Sequence, residues 1–175
     1  MLNICVQIQR NILNHIFVEM NKIKHLLLLV CIAGCFTACK KTEFNAEKQF
    51  TADTTAIRNF IIANNIPAVK DPSGVFYQII TPGTGTVTYS SSTKVNANYE
   101  GKLLNGSIFD SSKGTPIQFT LGGVIVGWQI AIPKIQKGGS IRMFIPSYYG
   151  YANSSVGSIP ENSVLDFTVS LTDVQ

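Results

Sequence analysis

A chain of 175 residues with 45% hydrophobic content is long enough for one globular domain preceded by additional N-terminal sequence. The formal net charge is +4, and because the basic residues after residue 39 are scattered, we expect no nucleic-acid-binding surface. All four cysteines and both histidines lie within residues 1–39. The rest of the chain therefore lacks the residues of a Cys/His zinc site, a histidine-based triad, a redox pair or a disulfide framework. Its few acidic residues do not follow calcium-loop spacing, so we expect neither a metal nor a cofactor.

Residues 1–39 have the features of an upstream extension followed by a lipoprotein-type signal peptide. The segment Met20–Lys24 is basic, and residues 25–38 form an apolar run that is short for a membrane span and suitable for a signal peptide. Small residues precede both Cys35 and Cys39. We favour Cys39 for lipid attachment, with Cys35 as the alternative, because polar sequence begins directly after Cys39. A plain membrane anchor is the other interpretation, whereas a diacyl anchor would attach the protein to a membrane without a spanning helix.

Residues 40–73 are predicted to form a polar tether, over residues 40–52, and an N-terminal helix. The helix is expected to start near Thr51, with Thr51 or Asp53 as its cap, and to end before Pro67. It would either pack on the following domain or mediate a homodimer, and the sequence favours neither. Its apolar face would carry Ile57, Phe60 and Ile61.

Residues 74–175 show the pattern of antiparallel strands separated by turns. Apolar and polar residues alternate strictly from Val95 to Leu103, as in a strand with one face on a core and the other in solvent. Asn105-Gly106 is a strong hairpin signal. Further strands are predicted over residues 75–80, 107–110, 116–122 and 140–145. In a last strand, Leu165, Phe167, Val169 and Leu171 would face the core, and Asp166, Thr168, Ser170 and Thr172 the solvent.

The only tryptophan lies in a short predicted helix. Four residues at spacings i, i+3, i+4 and i+7 share one helix face, and they are Trp128, Ala131, Ile132 and Ile135. Pro133 lacks a backbone donor and should end or distort this helix early, ahead of Gly138-Gly139. Many strands and one short central helix predict an α+β domain in which a sheet wraps over the helix. The core would include Phe119, Leu121, Met143 and Phe144, while Tyr148 and Tyr149 would serve either loop packing or peptide contacts.

Several short motifs occur in an order typical of one protein family. They are Tyr99, Gly101, Gly106 and Phe109-Asp110-Ser111-Ser112, then Gly127-Trp128 with Gly138 ten residues on, Ile145-Pro146-Ser147, Tyr151, Ile159-Pro160 and Leu165-Asp166-Phe167. This combination resembles the FKBP-type peptidyl-prolyl cis-trans isomerases, here a bacterial lipoprotein member, over residues 74–175. The resemblance implies a twisted antiparallel sheet of about five strands curled around one helix.

The resemblance also implies a proline-binding pocket. The positions that correspond to its catalytic residues are Tyr99, Phe109, Asp110, Trp128, Tyr151 and Phe167, and those that correspond to substrate-binding residues are Ile117, Val124, Ile125 and Ile159. Trp128 would form the pocket floor. The backbone N–H of Ile125 and the hydroxyl of Tyr151 correspond to the family's donors to substrate carbonyls. Two departures are that Ile117 replaces the family's second wall aromatic residue and that the loop after Tyr151 is one residue shorter.

Such a pocket would accelerate rotation about X–Pro amides. Rotation breaks amide resonance, at about 18–20 kcal/mol, and an apolar pocket that binds the twisted form better than the planar one lowers this barrier without a nucleophile, metal or cofactor. The implied function is a peptidyl-prolyl isomerase that assists folding of exported proteins, lipid-anchored in the cell envelope and facing the periplasm or cell surface. The alternative, suggested by Ile117 and the altered loop, is a non-catalytic module or chaperone that binds proline-containing segments.

Overall fold

The computed structural model of the protein describes residues 44–175, which form one sheet flanked by two α-helices. The predictions made for residues 1–39, including those for Cys35 and Cys39, lie outside the described residues. The helices are α1 (Ala46–Ala63) and α2 (Val126–Ala131). The strands are β1 (Val69–Lys70), β2 (Phe76–Thr81), β3 (Lys94–Leu103), β4 (Ile108–Ser111), β5 (Ile117–Thr120), β6 (Ser140–Ile145) and β7 (Leu165–Val174). Within residues 44–175, no helix is both long enough and apolar enough to cross a membrane.

The seven strands of the described part pair antiparallel in the order β1-β2-β6-β7-β3-β4, with β5 also paired to β3. The longest ladder joins β3 to β7, from Val95 opposite Val174 to Leu103 opposite Leu165. Because successive side chains of a strand point to opposite faces, β3, β6 and β7 direct a continuous apolar set toward α2. The α+β fold predicted from the sequence is confirmed.

The main core lies between α2 and this face of the sheet. Its buried side chains are those of Val75, Val95, Ala97, Leu121, Trp128, Ala131, Ile132, Ile135, Ile141, Met143, Ile145, Ile159, Leu165, Phe167, Val169 and Leu171. All four residues of the predicted helix face belong to this set, but only Trp128 and Ala131 lie in α2, since Ile132 belongs to a 3₁₀ turn and Ile135 has an extended backbone. α2 ends at Ala131 and continues as a 3₁₀ turn, Ile132–Lys134, because Pro133 offers no N–H to extend the α-helical ladder.

α1 begins earlier than predicted, at Ala46. Its cap is Asn45, whose side chain accepts a hydrogen bond of 2.9 Å from the backbone N–H of Lys48, so the prediction of Thr51 or Asp53 as cap was wrong. Residues 46–50 favour a helix because most of them are good helix formers and Glu47 lies in the first turn, where the helix dipole stabilises a carboxylate. Asp53 instead lies inside α1 and is buried.

A second core, which we term the helix core, attaches α1 to the other face of the sheet. Its buried members are Ile57, Ile61, Phe76, Phe144 and Val164. The ring of Phe60 also packs there, 5.8 Å from that of Phe144. α1 therefore packs on the domain, which was one of the two roles that the sequence left open, and its part in a homodimer stays a prediction.

The prediction that Asp166 faces solvent was wrong. The residue does lie on the face of β7 opposite the main core, but it is only 5% exposed. Arg142, its diagonal neighbour on β6, donates to both carboxylate oxygens, from Nε at 3.0 Å and from Nη2 at 2.8 Å, while its guanidinium lies 4.9 Å from the centre of the Phe144 ring. Such a two-point ion pair satisfies the buried carboxylate, and it raises the pKa of Arg142.

Candidate active site

Four aromatic rings at the edge of the main core form what we term the aromatic pocket: Tyr99, Phe109, Trp128 and Phe167. Trp128 and Phe167 are 4% and 5% exposed and meet edge to face, with ring centres 5.4 Å apart. The ring of Tyr99 lies 5.6 Å from that of Trp128, and the ring of Phe109 lies 5.3 Å from that of Phe167. These separations are those of attractive edge-to-face pairs. Because Tyr99 and Phe109 are only half-buried, the aromatic pocket leaves part of its apolar surface accessible.

Gly101 makes this close grouping possible. It lies on β3 directly opposite Phe167 on β7. A Cβ atom at this position would lie 2.6 Å from ring atoms of both Phe109 and Phe167, which is well inside van der Waals contact. Glycine in a strand commonly marks such a close approach. The motif residue Gly101 therefore has a direct steric reason to be glycine.

Asp110 contacts the pocket through Tyr99. The Tyr99 hydroxyl donates a 2.7 Å hydrogen bond to Oδ2 of Asp110. The pKa of Tyr99 is raised to about 12, first by burial, then by its hydrogen bond to Asp110 and the negative charge there, and last by the nearby Tyr151. Tyr99 consequently stays protonated throughout the physiological range and retains its hydrogen bond to the exposed Asp110 carboxylate.

The N-terminal end of α2 contributes the next side of the pocket. Val124 and Ile125 are partly buried against the main core. The Val124 carbonyl accepts a 2.8 Å hydrogen bond from the Gln129 side chain, and the Ile125 carbonyl accepts from the Trp128 N–H at 3.0 Å. These bonds hold the turn into α2 with the Trp128 ring beneath it. Within residues 44–175, the Trp128 Nε1 atom is buried and has no hydrogen-bond partner.

The loop of residues 146–162 contributes Tyr151 and Ile159. Tyr151 packs partly buried against the main core, and Ile159 is 5% exposed. The loop is internally hydrogen-bonded, because the Ser147 carbonyl accepts from the Ala152 N–H at 2.8 Å and the Ala152 carbonyl accepts from the Asn162 N–H at 2.8 Å. The long loop is thus a structured wall.

Nearly all the site residues predicted from the sequence lie together in this region, but Ile117 does not pack with them. It lies on β5 with 41% of its surface exposed. Sequence reasoning missed Phe119, which it assigned to the core alone. The Phe119 ring lies 5.5 Å from that of Trp128 and 5.6 Å from that of Tyr99. The available signal was alternation, since Phe119 shares the face of β5 with Ile117.

The charged and metal-binding potential of the region is small. Asp110 is the only predicted site residue with a carboxylate. Across residues 44–175, no three or more His, Cys, Asp or Glu side chains are grouped to hold a metal ion. What the arrangement can do chemically is bind an apolar ring against Trp128 and supply hydrogen-bond donors at its rim.

Comparison with known proteins relates this chain to one protein family. A family profile described as FKBP-type peptidyl-prolyl cis-trans isomerase matches residues 85–172. The isomerase FkpA of Escherichia coli is 42% identical over 105 residues, which cover 59% of this chain and 38% of that protein. The isomerase Mip of Coxiella burnetii is 36% identical over 136 residues, which cover 75% of this chain and 55% of that protein. The chain thus spans about two fifths of the length of the first curated relatives it matches.

Solved structures agree with the sequence relatives. The crystal structure of Escherichia coli FkpA matches with a TM-score of 0.65 and 33% identity, over 89% of this chain and 72% of that one. A peptidyl-prolyl cis-trans isomerase from Pseudomonas syringae matches with a TM-score of 0.61 and 30% identity, over 77% of this chain and 98% of that one. The chain belongs to the FKBP-type peptidyl-prolyl cis-trans isomerase family.

Proposed function

We propose that this chain catalyses cis-trans isomerisation of X–Pro bonds in exported polypeptides, with the aromatic pocket as its active site. The observation that carries the proposal is the contact of half-buried Tyr99 and Phe109 with the buried rings of Trp128 and Phe167. A pyrrolidine ring is apolar and fits against such aromatic faces. The proposed domain division places this site in residues 74–175, after a signal region of residues 1–39 and a tether and helix over residues 40–73.

The proposed catalysis is differential binding. The planar amide is the more dipolar form, so removal of water around it destabilises the ground state relative to the twisted transition state. Binding energy from the proline ring against Trp128 holds the bond in place, and only contacts that are stronger in the twisted form raise the rate. Two rim groups are suited to this role, the backbone N–H of Ile125 and the hydroxyl of Tyr151, as donors to carbonyls of the substrate. Asp110 orients Tyr99 and is not a general base.

The test follows relaxation of a short X–Pro peptide from cis to trans, with the full chain in mild detergent. We expect acceleration by the wild type, and Phe109→Ala should lower kcat/KM by about 10- to 100-fold, which corresponds to loss of about 1.5–3 kcal/mol of apolar contact. Asp110→Ala should give a smaller loss through Tyr99. A matched control is Val69→Ala, which removes an exposed apolar side chain from β1, at the far end of the sheet from β4. A folded wild type without acceleration would refute the isomerase proposal.

The second candidate function is a binding module or chaperone that holds proline-containing segments without turnover. The specific observation in its favour is the 41% exposure of Ile117, at a position where the family has a wall aromatic residue. This module would bind the same peptide without accelerating its isomerisation. Titration of the peptide against the fluorescence of Trp128, the only tryptophan, measures binding independently of catalysis.

Lipid attachment and assembly are further parts of the proposal. A diacyl group on Cys39 would attach the protein to a membrane of the cell envelope, where exported polypeptides fold. We expect Cys39→Ser to move the protein from the membrane to the soluble fraction and Cys35→Ser to leave it bound. The reverse result would assign Cys35, and membrane retention of both variants would favour the plain anchor. A homodimer through α1 remains a prediction, which sedimentation of the full chain tests.

A further inference from the structure

A buried polar contact joins α1 to the loop that carries Tyr151. Oδ2 of Asp53 accepts hydrogen bonds from the Ser147 backbone N–H at 2.8 Å and from the Ser147 hydroxyl at 2.6 Å. Asp53 is 3% exposed and Ser147 is 1% exposed. Oδ1 of Asp53 accepts a third bond, of 2.7 Å, from the Gln49 side chain. Because Asp53 and Ser147 are 94 positions apart in sequence, this contact exists only in the folded protein.

The contact supplies a cap that the loop lacks in its own sequence. The 3₁₀ turn Ser147–Tyr149 follows Pro146, whose side chain makes no capping hydrogen bond. The first N–H groups of a helical turn have no partner within the turn, and a carboxylate is a favourable acceptor at such an end. Asp53 performs this role from another element of the fold. The turn is therefore completed by α1.

Backbone hydrogen bonds connect Ser147 to the residues on either side of Tyr151. The Ser147 carbonyl accepts from the N–H groups of Gly150, at 2.9 Å, and Ala152, at 2.8 Å. Ala152 has a φ of +50°, an uncommon backbone conformation for a residue with a side chain, so it depends on these bonds. Tyr151 lies between the two donors. A displacement of Ser147 would consequently displace the backbone that aims the Tyr151 side chain.

The need to attach α1 to the sheet does not explain why Asp53 is buried. Ile57 and Ile61 already attach the helix through the helix core, and burial of a polar side chain costs free energy that apolar packing would not. What three directional bonds add is one defined geometry. The carboxyl oxygens of Asp53 accept one hydrogen bond from Gln49 of α1 and two from Ser147, at the start of the turn that leads to Tyr151.

We infer that Asp53 is a positioning residue for the isomerase site, which acts through Ser147 to hold Tyr151 at the pocket. The inference rests on the proposed function and deepens it, because it makes α1 a working part of the active site. Asp53 does not touch the substrate. Loss of the Asp53 carboxyl group should therefore lower the isomerisation rate of the X–Pro peptide even where the variant is still folded.

The experiment compares Asp53→Ala with Ile57→Ala, both on the buried face of α1. Ile57 is fully buried in the helix core and makes no bond to the loop, so its variant controls for general destabilisation. We expect Asp53→Ala to lower kcat/KM by about 10- to 100-fold, the scale that small misplacement of an active-site group produces. Ile57→Ala should leave kcat/KM within twofold at a temperature where both variants are folded. Asp53→Asn, which retains a carbonyl acceptor for Ser147, should restore most of the activity.

Hydrogen exchange, which needs no substrate, keeps the inference separable from the proposed function. Hydrogen exchange of the Ala152 amide should become faster in Asp53→Ala and stay unchanged in Ile57→Ala. If the wild type shows no isomerase activity, the proposed function fails, and unchanged Ala152 exchange would then overturn the Asp53 link as well. Equal activity losses in the two variants would also overturn it. If Asp53→Ala does not fold, Ser147→Ala, which removes only the hydroxyl bond, should show the same changes at smaller size.

Discussion

The main core and the helix core lie on opposite faces of the same strands, and they differ in size and in openness. The main core contains sixteen buried apolar side chains of the described residues and the helix core contains five. On β6, the side chain of Ile141 faces the main core and that of Phe144 faces the helix core. Both are fully buried. The larger core is also the one left incomplete, because its edge exposes Tyr99 and Phe109. The aromatic pocket is thus the partly exposed edge of the larger of the two cores.

This difference shows that one cluster of aromatic side chains both completes the main core and forms the accessible surface of the pocket. Trp128 and Phe167 belong to the main core and also line the pocket, so the pocket floor is part of the buried core. The helix core also has partly buried residues at its edge, among them Phe60, but within residues 44–175 only the main core has a cluster of four contacting aromatic rings there. The helix core attaches α1, which also makes the buried polar contact of Asp53 with Ser147. Four variants can break or sharpen this contrast.

The largest expected effect is on stability, from cavities in the two cores. Ile141→Ala should lower the free energy of unfolding by about 3–5 kcal/mol, because Ile141 is fully buried between β-strands and α2 and its neighbours have little room to relax. Ile61→Ala, at the edge of the helix core with 8% exposure, should cost about 2 kcal/mol. Urea unfolding measures both. A larger loss from Ile61→Ala would reverse the ranking of the two cores.

A smaller effect is expected where the main core meets the pocket. Gly101→Ala inserts a methyl group against Phe109 and Phe167, and such overpacking should cost about 1–3 kcal/mol. Because the displaced rings are those of the pocket, binding of an X–Pro peptide should weaken together with stability. Gly123→Ala is the matched control, since nothing lies within 4 Å of a Cβ atom there. An active and fully stable Gly101→Ala protein would show that the pocket does not depend on this close approach.

The sequence was sufficient for the elements whose signal is local. The alternation of Val95 to Leu103, the Asn105-Gly106 turn and the short helix at Trp128 depend on periodicity and turn chemistry, and each is confirmed. The start of α1 was missed because Asn45, Thr51 and Asp53 are all acceptable caps, and the choice among them depends on what the helix packs against. Local rules give the element but not its exact end.

The features that the sequence did not reveal depend on distant partners. Asp166 alternates as a solvent-facing residue, and only pairing of β6 with β7 brings Arg142 to it. Asp53 resembles a helix cap, and only the packing of α1 brings it to Ser147. Most of the pocket was anticipated from family motifs, whereas the contact of Phe119 with Trp128 was not. Spacing within a segment therefore predicts faces, and tertiary pairing decides which polar residues are buried.

The smallest expected effect is a pH dependence that separates the pocket edge from the buried core. The pKa of Tyr99 is raised in the folded state to about 12 by burial and by Asp110, against about 10 for an unfolded tyrosine. The folded state therefore retains the proton at a pH where the unfolded state loses it, so the stabilisation is complete below pH 10 and is lost as the pH rises toward 12.

Tyr99→Phe removes this titration and leaves the ring in place. The stability advantage of the wild type over Tyr99→Phe should therefore decrease between pH 9 and pH 11, by less than about 1 kcal/mol after allowance for solvent screening at the half-exposed phenol. Urea unfolding of both proteins at the two pH values measures it, and the common titration of lysines cancels in the difference. A constant difference would mean that the pKa of Tyr99 is the same in the folded protein and in the unfolded chain, and a difference that grows with pH would place its folded-state pKa below the unfolded value. Either result would contradict the hydrogen bond to Asp110 as the contact that orients the edge of the aromatic pocket.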